Sequence, residues 1–205
     1  MWKGSSGQQV DRDKFARIEE HCRVEQGITI EQARISDAGA ISNILASNRE
    51  DPGLFQESAK AVRCAIDDFV VARSETGEVI GCAGLHRDSF ALGEVYAVAV
   101  TPKYQGQGIG GQLMRSCELS GRTQGIRHLW LATIKPAYFS RYGFEIISRW
   151  ELPGSVLLRK LRQTFRQPAG RWLPTLFGRH TLMRQRLEFG AGPGKNALQS
   201  SHELQ

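Results

Sequence analysis

The chain has 205 residues and a formal net charge of +6, with 40% hydrophobic and 23% charged side chains. These proportions are typical of a folded globular domain and exclude a chain that is disordered throughout. The apolar stretches are shorter than the roughly 18 residues that cross a bilayer, and the first residues lack the apolar core of a secretory signal. We therefore expect a cytoplasmic protein with no membrane partner. The four cysteines form no C-x-x-C pair, so the sequence predicts neither a metal site nor a disulfide framework.

The two halves of the chain differ in charge. Residues 1–100 contain 11 basic and 16 acidic side chains, whereas residues 101–205 contain 16 basic and five acidic ones. The excess of positive charge in the second half predicts an anionic ligand there. Charge alone does not distinguish a phosphorylated cofactor from nucleic acid.

The predicted elements alternate between strands and helices, which favours an α/β sandwich. Strands are predicted over residues 28–33, 69–73, 79–85, 94–100, 128–133, 144–150 and 181–189. Helices are predicted around residues 15–22, after an N-cap at Ser36 or Asp37, and over residues 56–65, 110–124 and 136–142. Turn residues at 51–53 separate two of these helices, and residues 152–180 are predicted to be irregular and basic.

A glycine-rich loop between a strand and a helix is the most informative segment. Glycines stand at positions 106, 108, 110 and 111, directly before the helix predicted over residues 110–124. Glycine lets the backbone approach a ligand, and the start of a helix presents unpaired N–H groups to an anion. The loop therefore predicts a phosphate or pyrophosphate site, with a glycine-rich surface turn as the alternative.

Two other classes of phosphate loop fit this segment poorly. Gly106, Gly108 and Gly111 satisfy the dinucleotide pattern G-x-G-x-x-G, but the next predicted strand, over residues 128–133, lacks the acidic residue that grips a ribose. The nucleoside-triphosphate loop ends in Gly-Lys-Ser/Thr, and here Gly110 is followed by Gly111 and Gln112. Both interpretations are disfavoured.

The same loop resembles the GNAT superfamily of acetyl-CoA-dependent N-acetyltransferases. Gln105-x-x-Gly108-x-Gly110 matches the R/Q-x-x-G-x-G/A signature of that superfamily, and residues 138–144 (YFSRYGF) and 181–187 (TLMRQRL) look like later motifs. The resemblance covers about residues 28–189, which leaves an N-terminal extension (1–27) containing a short helix and a C-terminal tail (190–205). It implies an α/β fold with a central mixed sheet, flanking helices and two splayed strands that form a cleft for acetyl-CoA. Family members often form dimers, so a homodimer is also implied.

The resemblance also assigns roles to individual residues. The loop amides would hold the CoA pyrophosphate, and backbone groups of the preceding strand would hold the pantetheine arm, with the N–H of Val98 also placed to stabilise an oxyanion. Glu94 would be the general base that accepts the amine proton, and a charge at the sheet edge is its alternative interpretation. The residues assigned to the cofactor in this way are Val98, Val100, Gln105, Gly106, Gln107, Gly108, Ile109, Gly110 and Gly111.

One position departs from the family pattern. Many relatives have a tyrosine four residues before the glycine of the second motif, where it protonates the leaving thiolate, but this chain has Phe139 there. Tyr138 and Ser140 flank that position, and either of them or water could serve instead. Tyr138 is the candidate acid that we assign, with a packing role as its alternative.

The sequence specifies the amine that accepts the acetyl group less well than it specifies the acetyl donor. Phe139, together with Glu151-Leu152-Pro153, resembles the catalytic domain of N-acetylglutamate synthases and related amino-acid acetyltransferases. Arginine binds carboxylates well, so a basic segment with no acidic residue favours a small amine that carries a carboxylate, such as glutamate. A protein or peptide acceptor, nucleic acid, and a nonenzymatic module that binds CoA or another anion are the alternatives, and interleaved leucines disfavour nucleic acid. The basic segment contains Arg159, Lys160, Arg162, Arg166, Arg171, Arg179, Arg184 and Arg186.

Overall fold

The computed structural model describes residues 27–48, 58–165 and 180–188. The predicted N-terminal helix, the turn at residues 51–53 and the C-terminal tail lie outside these residues. No helix within the described ranges is long and apolar enough to cross a membrane.

The described chain forms one mixed seven-stranded sheet in the order β1-β2-β3-β4-β5-β7-β6. The pairs are antiparallel except β4 with β5, which run parallel. Six of the predicted strands are confirmed to within about two residues at the ends that the structure describes. The strands are β1 (Thr29–Gln32), β2 (Phe69–Arg73), β3 (Val79–Arg87), β4 (Leu92–Val100), β5 (His128–Thr133), β6 (Glu145–Ile146) and β7 (Thr181–Arg186).

Helices cover both faces of the sheet. The face under α3 buries Ile109, Leu113, Met114 and Cys117 of that helix, while the opposite face buries Ile41, Ile44, Leu45 and Val62 of α1 and α2. Apolar residues at these spacings form one stripe of a helix, which is why the sequence predicts them well. The helices are α1 (Ala38–Ser47), α2 (Ala59–Cys64), α3 (Ile109–Thr123), α4 (Pro136–Ser140) and α5 (Gly154–Phe165).

Two parts of the prediction are wrong. The strand predicted over residues 144–150 contains only the two residues of β6, and a 3-10 turn follows at Arg149–Glu151. The part of the irregular stretch that the structure describes is helical, because α5 runs over Gly154–Phe165. Its residue Val156 packs with Leu152 against Leu92 and Trp130. The sequence did not indicate this helix, because Arg159 and Lys160 follow Val156 on its inward face and shorten the apolar stripe.

The centre of the sheet opens between β4 and β5. Their pairing covers only Leu92 to Glu94 of β4, after which the strands diverge. In β4 a bulge at Ala97, which has φ 53°, adds one residue between the pairs that Tyr96 and Ala99 make with β3. The divergence creates a cleft beside the second half of β4, as expected from the resemblance.

Candidate active site

The glycine loop leaves the start of α3 open to a ligand. Gly106 and Gly108 have φ of 80° and 79°, and Gly108 stands at the N-cap of α3. Within the described chain no side chain caps this helix, and no atom lies within 4 Å of a Cβ built at either glycine. The N–H groups at the start of α3 are therefore left without a capping side chain, which fits a phosphate group.

Gly110 and Gly111 are required for a different reason. A Cβ at Gly110 would collide with the hydroxyl of Tyr138, and a Cβ at Gly111 would lie 2.7 Å from the hydroxyl of Tyr142. Both tyrosines come from the segment around α4 and cover the first turn of α3. These two glycines make room for protein side chains, whereas Gly106 and Gly108 leave space for a ligand.

Tyr138 thus lies at the loop end of the cleft, with its hydroxyl against Gly110. Burial, followed by the hydrogen bond with Tyr142, raises its pKa above the ordinary value. Phe139 instead turns inward, 6.2 Å from Phe144 between ring centroids, and packs against the main core. The phenol available here is therefore a neutral hydroxyl at the loop.

Gln105 anchors the loop through its side chain. Its Nε2 donates to the carbonyl oxygen of Val100 at 3.0 Å and to Oδ1 of Asn48 at 3.0 Å. Asn48 also donates to the Val100 carbonyl, at 3.3 Å. Both lone pairs of that carbonyl are therefore used within the protein. The contact of Asn48 with the loop cannot be predicted from the sequence, because nothing in the segment around Asn48 indicates that it lies near residue 105.

The first cleft has a volume of about 530 Å³ and runs along β4 from Glu94 to the glycine loop. Gln107 lies outside its lining and is exposed, while the side chain of Ile109 is buried in the core, so Ile109 offers a ligand only its backbone. All the residues assigned to the cofactor except Gln107 line the cleft, namely Val98, Val100, Gln105, Gly106, Gly108, Ile109, Gly110 and Gly111.

Glu94 lies at the other end of this cleft and is 2% exposed. Its Oε2 accepts a hydrogen bond from Arg159 at 2.6 Å, and its Oε1 forms an ion pair with Lys160. Both cations come from α5. A proton that moves to Glu94 must therefore share or displace one of these two partners.

Asp88 completes this buried network and was missed by the sequence analysis. Arg159 donates to its Oδ1 through Nε at 3.0 Å and Nη2 at 2.7 Å, and Trp130 donates to its Oδ2 at 2.8 Å. Burial lowers the pKa of Arg159, but Glu94 and Asp88 together raise it above the ordinary value. The inward face of α5 is thus held to the sheet largely by charge.

A second, wider cleft of about 1100 Å³ meets the first at Glu94 and Tyr96, which line both. Its other polar lining residues include Lys60, Asp68, His86, Arg159 and Arg162.

The basic segment does not act as one cluster. Arg159 and Lys160 pair with Glu94, and Arg184 pairs with Glu151 at 2.9 Å. Arg162 reaches the second cleft. Arg166, Arg171 and Arg179 lie outside the described residues. The sequence therefore predicted the sign of the charge correctly but not how it is divided among acidic partners.

The splayed strands, the bulge on β4 and the uncapped glycine loop together define the class of protein. These features agree with a GNAT acetyltransferase domain, which a family model matches over part of the chain. Residues 65–146 match the family model described as acetyltransferase (GNAT) domain.

The chain is also similar to individual acetyltransferases. The chain is 33% identical over 134 residues to an amino-acid acetyltransferase of Pseudomonas fluorescens, which is 64% of this chain but 31% of that protein. It therefore spans about a third of the length of that relative. It is also 28% identical over 127 residues to an uncharacterised N-acetyltransferase of Chlorobaculum tepidum, covering 62% of this chain and 81% of that protein.

Solved structures have the same fold. A Mycobacterium tuberculosis protein in complex with CoA matches with a TM-score of 0.64 and 25% identity, over 78% of this chain and 99% of that one. The N-acetylglutamate synthase of Neisseria gonorrhoeae, complexed with coenzyme A and N-acetyl-glutamate, matches with a TM-score of 0.67 and 24% identity. That match covers 81% of this chain and 36% of the synthase.

Proposed function

We propose that the chain transfers an acetyl group from acetyl-CoA to the primary amine of a small acceptor. The single observation that carries this proposal is the first cleft, which joins an uncapped helix N-terminus at one end to a buried carboxylate, Glu94, at the other. An anion site and a proton acceptor on one strand are what an acyl transfer from a phosphorylated carrier to an amine requires.

The donor would lie along β4. The pyrophosphate would take the free N–H groups at Gly108, Ile109 and Gly110, and the acyl-bearing arm would extend past Val98 towards Glu94. Because the carbonyl of Val100 is already bonded to Gln105 and Asn48, Val98 is the better candidate for a backbone contact with the arm. Acetyl-CoA supplies the activated acyl group, and the protein positions it.

Glu94 would accept a proton from the acceptor nitrogen. An ammonium approaching from the second cleft meets Glu94 at the junction of the two clefts, where Lys160 and Arg159 hold the carboxylate in one orientation. A positioned base contributes about 100-fold to 10,000-fold to such a step. Tyr138 remains the candidate acid for the thiolate, although its hydroxyl lies near Gly110 rather than near Glu94.

The acceptor would carry a carboxylate. Lys60 and Arg162, both exposed, line the second cleft but not the first, and a carboxylate bound by them would leave its amine free to reach Glu94, which lines both clefts. Similarity to the amino-acid acetyltransferase of P. fluorescens supports an amino acid as this acceptor. Arg159 is excluded from that role as long as it pairs with Asp88 and Glu94.

The test is release of free thiol from acetyl-CoA in the presence of amino acids, polyamines, aminoglycosides and peptides. We expect turnover with an acidic or neutral amino acid and less with spermidine, which the cations of the second cleft repel. Glu94→Gln should keep CoA affinity and lower kcat/KM about 100-fold at neutral pH, with partial recovery at higher pH. Binding of CoA without thiol release for any amine would instead indicate a nonenzymatic module.

A further inference from the structure

Three polar side chains of the second cleft form a cluster that has no role in the proposed function. Nδ1 of His86 lies 3.0 Å from Oδ2 of Asp68, and the hydroxyl of Tyr96 donates to the same oxygen at 3.2 Å. The side chains of His86 and Asp68 are 39% and 27% exposed. The cluster is therefore in contact with solvent, unlike Glu94.

The sheet places this cluster beside Glu94. His86 of β3 is the direct partner of Glu94 in β4, so the two side chains share one face of the sheet with Cβ atoms about 5 Å apart. Tyr96 crosses β3 at Gly84, where an added Cβ would lie 2.6 Å from the ring. The absence of a side chain at Gly84 is thus what lets Tyr96 reach Asp68.

The reaction needs such a solvent-facing group. An ammonium acceptor loses two protons in each turnover when it becomes an amide, and the thiolate of CoA takes one of them. The other proton must reach water before the next cycle. The Glu94 side chain is only 3% exposed and is held by Arg159 and Lys160, so it offers little surface from which to release this proton to water.

We propose that His86 is the proton outlet of the site, receiving the acceptor's proton from Glu94 and releasing it to water. This inference rests on the proposed function. Because Nδ1 faces Asp68, Nε2 is the nitrogen that takes up the proton from Glu94, directly or through one water, which restores the carboxylate. The imidazolium then returns the proton to water. Asp68 positions the ring, and Tyr96 positions Asp68.

The charges around His86 suit a group that accepts a proton and releases it to water. The hydrogen bond to Asp68 raises the pKa of His86 above its ordinary value, with burial and Arg159 opposing and Asp88 adding to the rise. A rise in pKa makes the imidazole a better proton acceptor for Glu94, and its partial exposure lets the imidazolium release the proton to water. The charged or titratable groups that face or line the cleft around it are Lys60, Cys64, Asp68, Asp88, Glu94, Tyr96, Arg159 and Arg162.

The test compares His86→Gln with His128→Gln. His128 lies in β5, outside the lining of both described clefts, and its pKa is lowered by burial and neighbouring arginines. We expect His86→Gln to lower kcat about 10-fold at pH 7, leave the KM for acetyl-CoA unchanged and regain rate when imidazole is added. His128→Gln should show neither the loss nor the rescue.

Asp68→Asn provides a second variant that can still hydrogen-bond to both neighbours. Removing its charge lowers the pKa of His86, so the acidic limb of the kcat profile should move to lower pH, a shift that a purely structural role would not produce. Wild-type turnover combined with unchanged kcat and pH profiles in both variants would overturn the outlet and leave the proposed function standing. A wild-type protein that releases no thiol with any amine would overturn both.

Discussion

Gly108→Ala separates backbone strain from ligand binding. Gly108 has φ 79°, and alanine in this left-handed region costs about 1–2 kcal/mol. Gly125 has φ 74°, also with no described atom within 4 Å of an added Cβ, but it lies at the far end of α3, about 22 Å away. Gly108→Ala and Gly125→Ala should therefore lose similar stability in thermal melts.

Only Gly108→Ala should weaken CoA binding. Its Cβ would stand in the space where the amides of α3 meet the pyrophosphate, and each lost hydrogen bond to a charged group is worth about 1.5–3 kcal/mol. One such bond corresponds to a 10-fold to 100-fold rise in Kd, measured by isothermal titration calorimetry. If both variants bound CoA as tightly as the wild type, the loop would not be the pyrophosphate site.

Three further predictions concern stability. Arg159→Ala leaves Asp88 and Glu94 buried without their shared partner and should lower the free energy of unfolding by about 3 kcal/mol in urea, whereas exposed Arg162→Ala should change it by less than about 0.5 kcal/mol. Gly110→Ala gains about 1 kcal/mol of helix propensity, but its Cβ meets the Tyr138 hydroxyl, so its effect on Tm should be more favourable in a Tyr138→Phe background; equal effects in both backgrounds would contradict this contact. The raised pKa of His86 makes its pair with Asp68 fully stabilising below pH 6.5, and this contribution should fade as pH rises through the folded-state pKa, so Asp68→Asn should flatten the dependence of Tm on pH above 6.5.

The glycine loop and most strands could be predicted because their signals are local. The backbone geometry of Gly106, Gly108 and the first turn of the following helix is set by neighbouring residues, which is why the sequence could predict a loop suited to an anion. The stripe of Ile41, Ile44 and Leu45 likewise determines one face of α1. The signature resembling the GNAT superfamily is contained in this local information, and the match of residues 65–146 confirms it.

The surroundings of Glu94 were decided only by the tertiary structure. Its partners Arg159 and Lys160 are about 65 residues away in sequence, and Asp88 is bound by the same arginine. From the sequence these cations belong to a basic segment with no assigned partners, because charge composition does not reveal which carboxylate each cation faces. Arg159 and Lys160 occupy part of the inward face of α5 beside Val156 and Leu157, and this basic composition is why the segment was predicted to be irregular.

The position of His86 beside Glu94 has the same origin. The sequence determined two neighbouring strands that could pair, but the register that sets His86 opposite Glu94, and the gap at Gly84 through which Tyr96 reaches Asp68, follow from the packing of the whole sheet. A shift of one residue would turn every side chain of a strand to the other face. The sequence by itself thus determined the kind of fold and the glycine loop, whereas the ion pairs and hydrogen bonds around Glu94 and His86 depended on long-range pairing, since only the folded chain brings these groups within hydrogen-bonding distance.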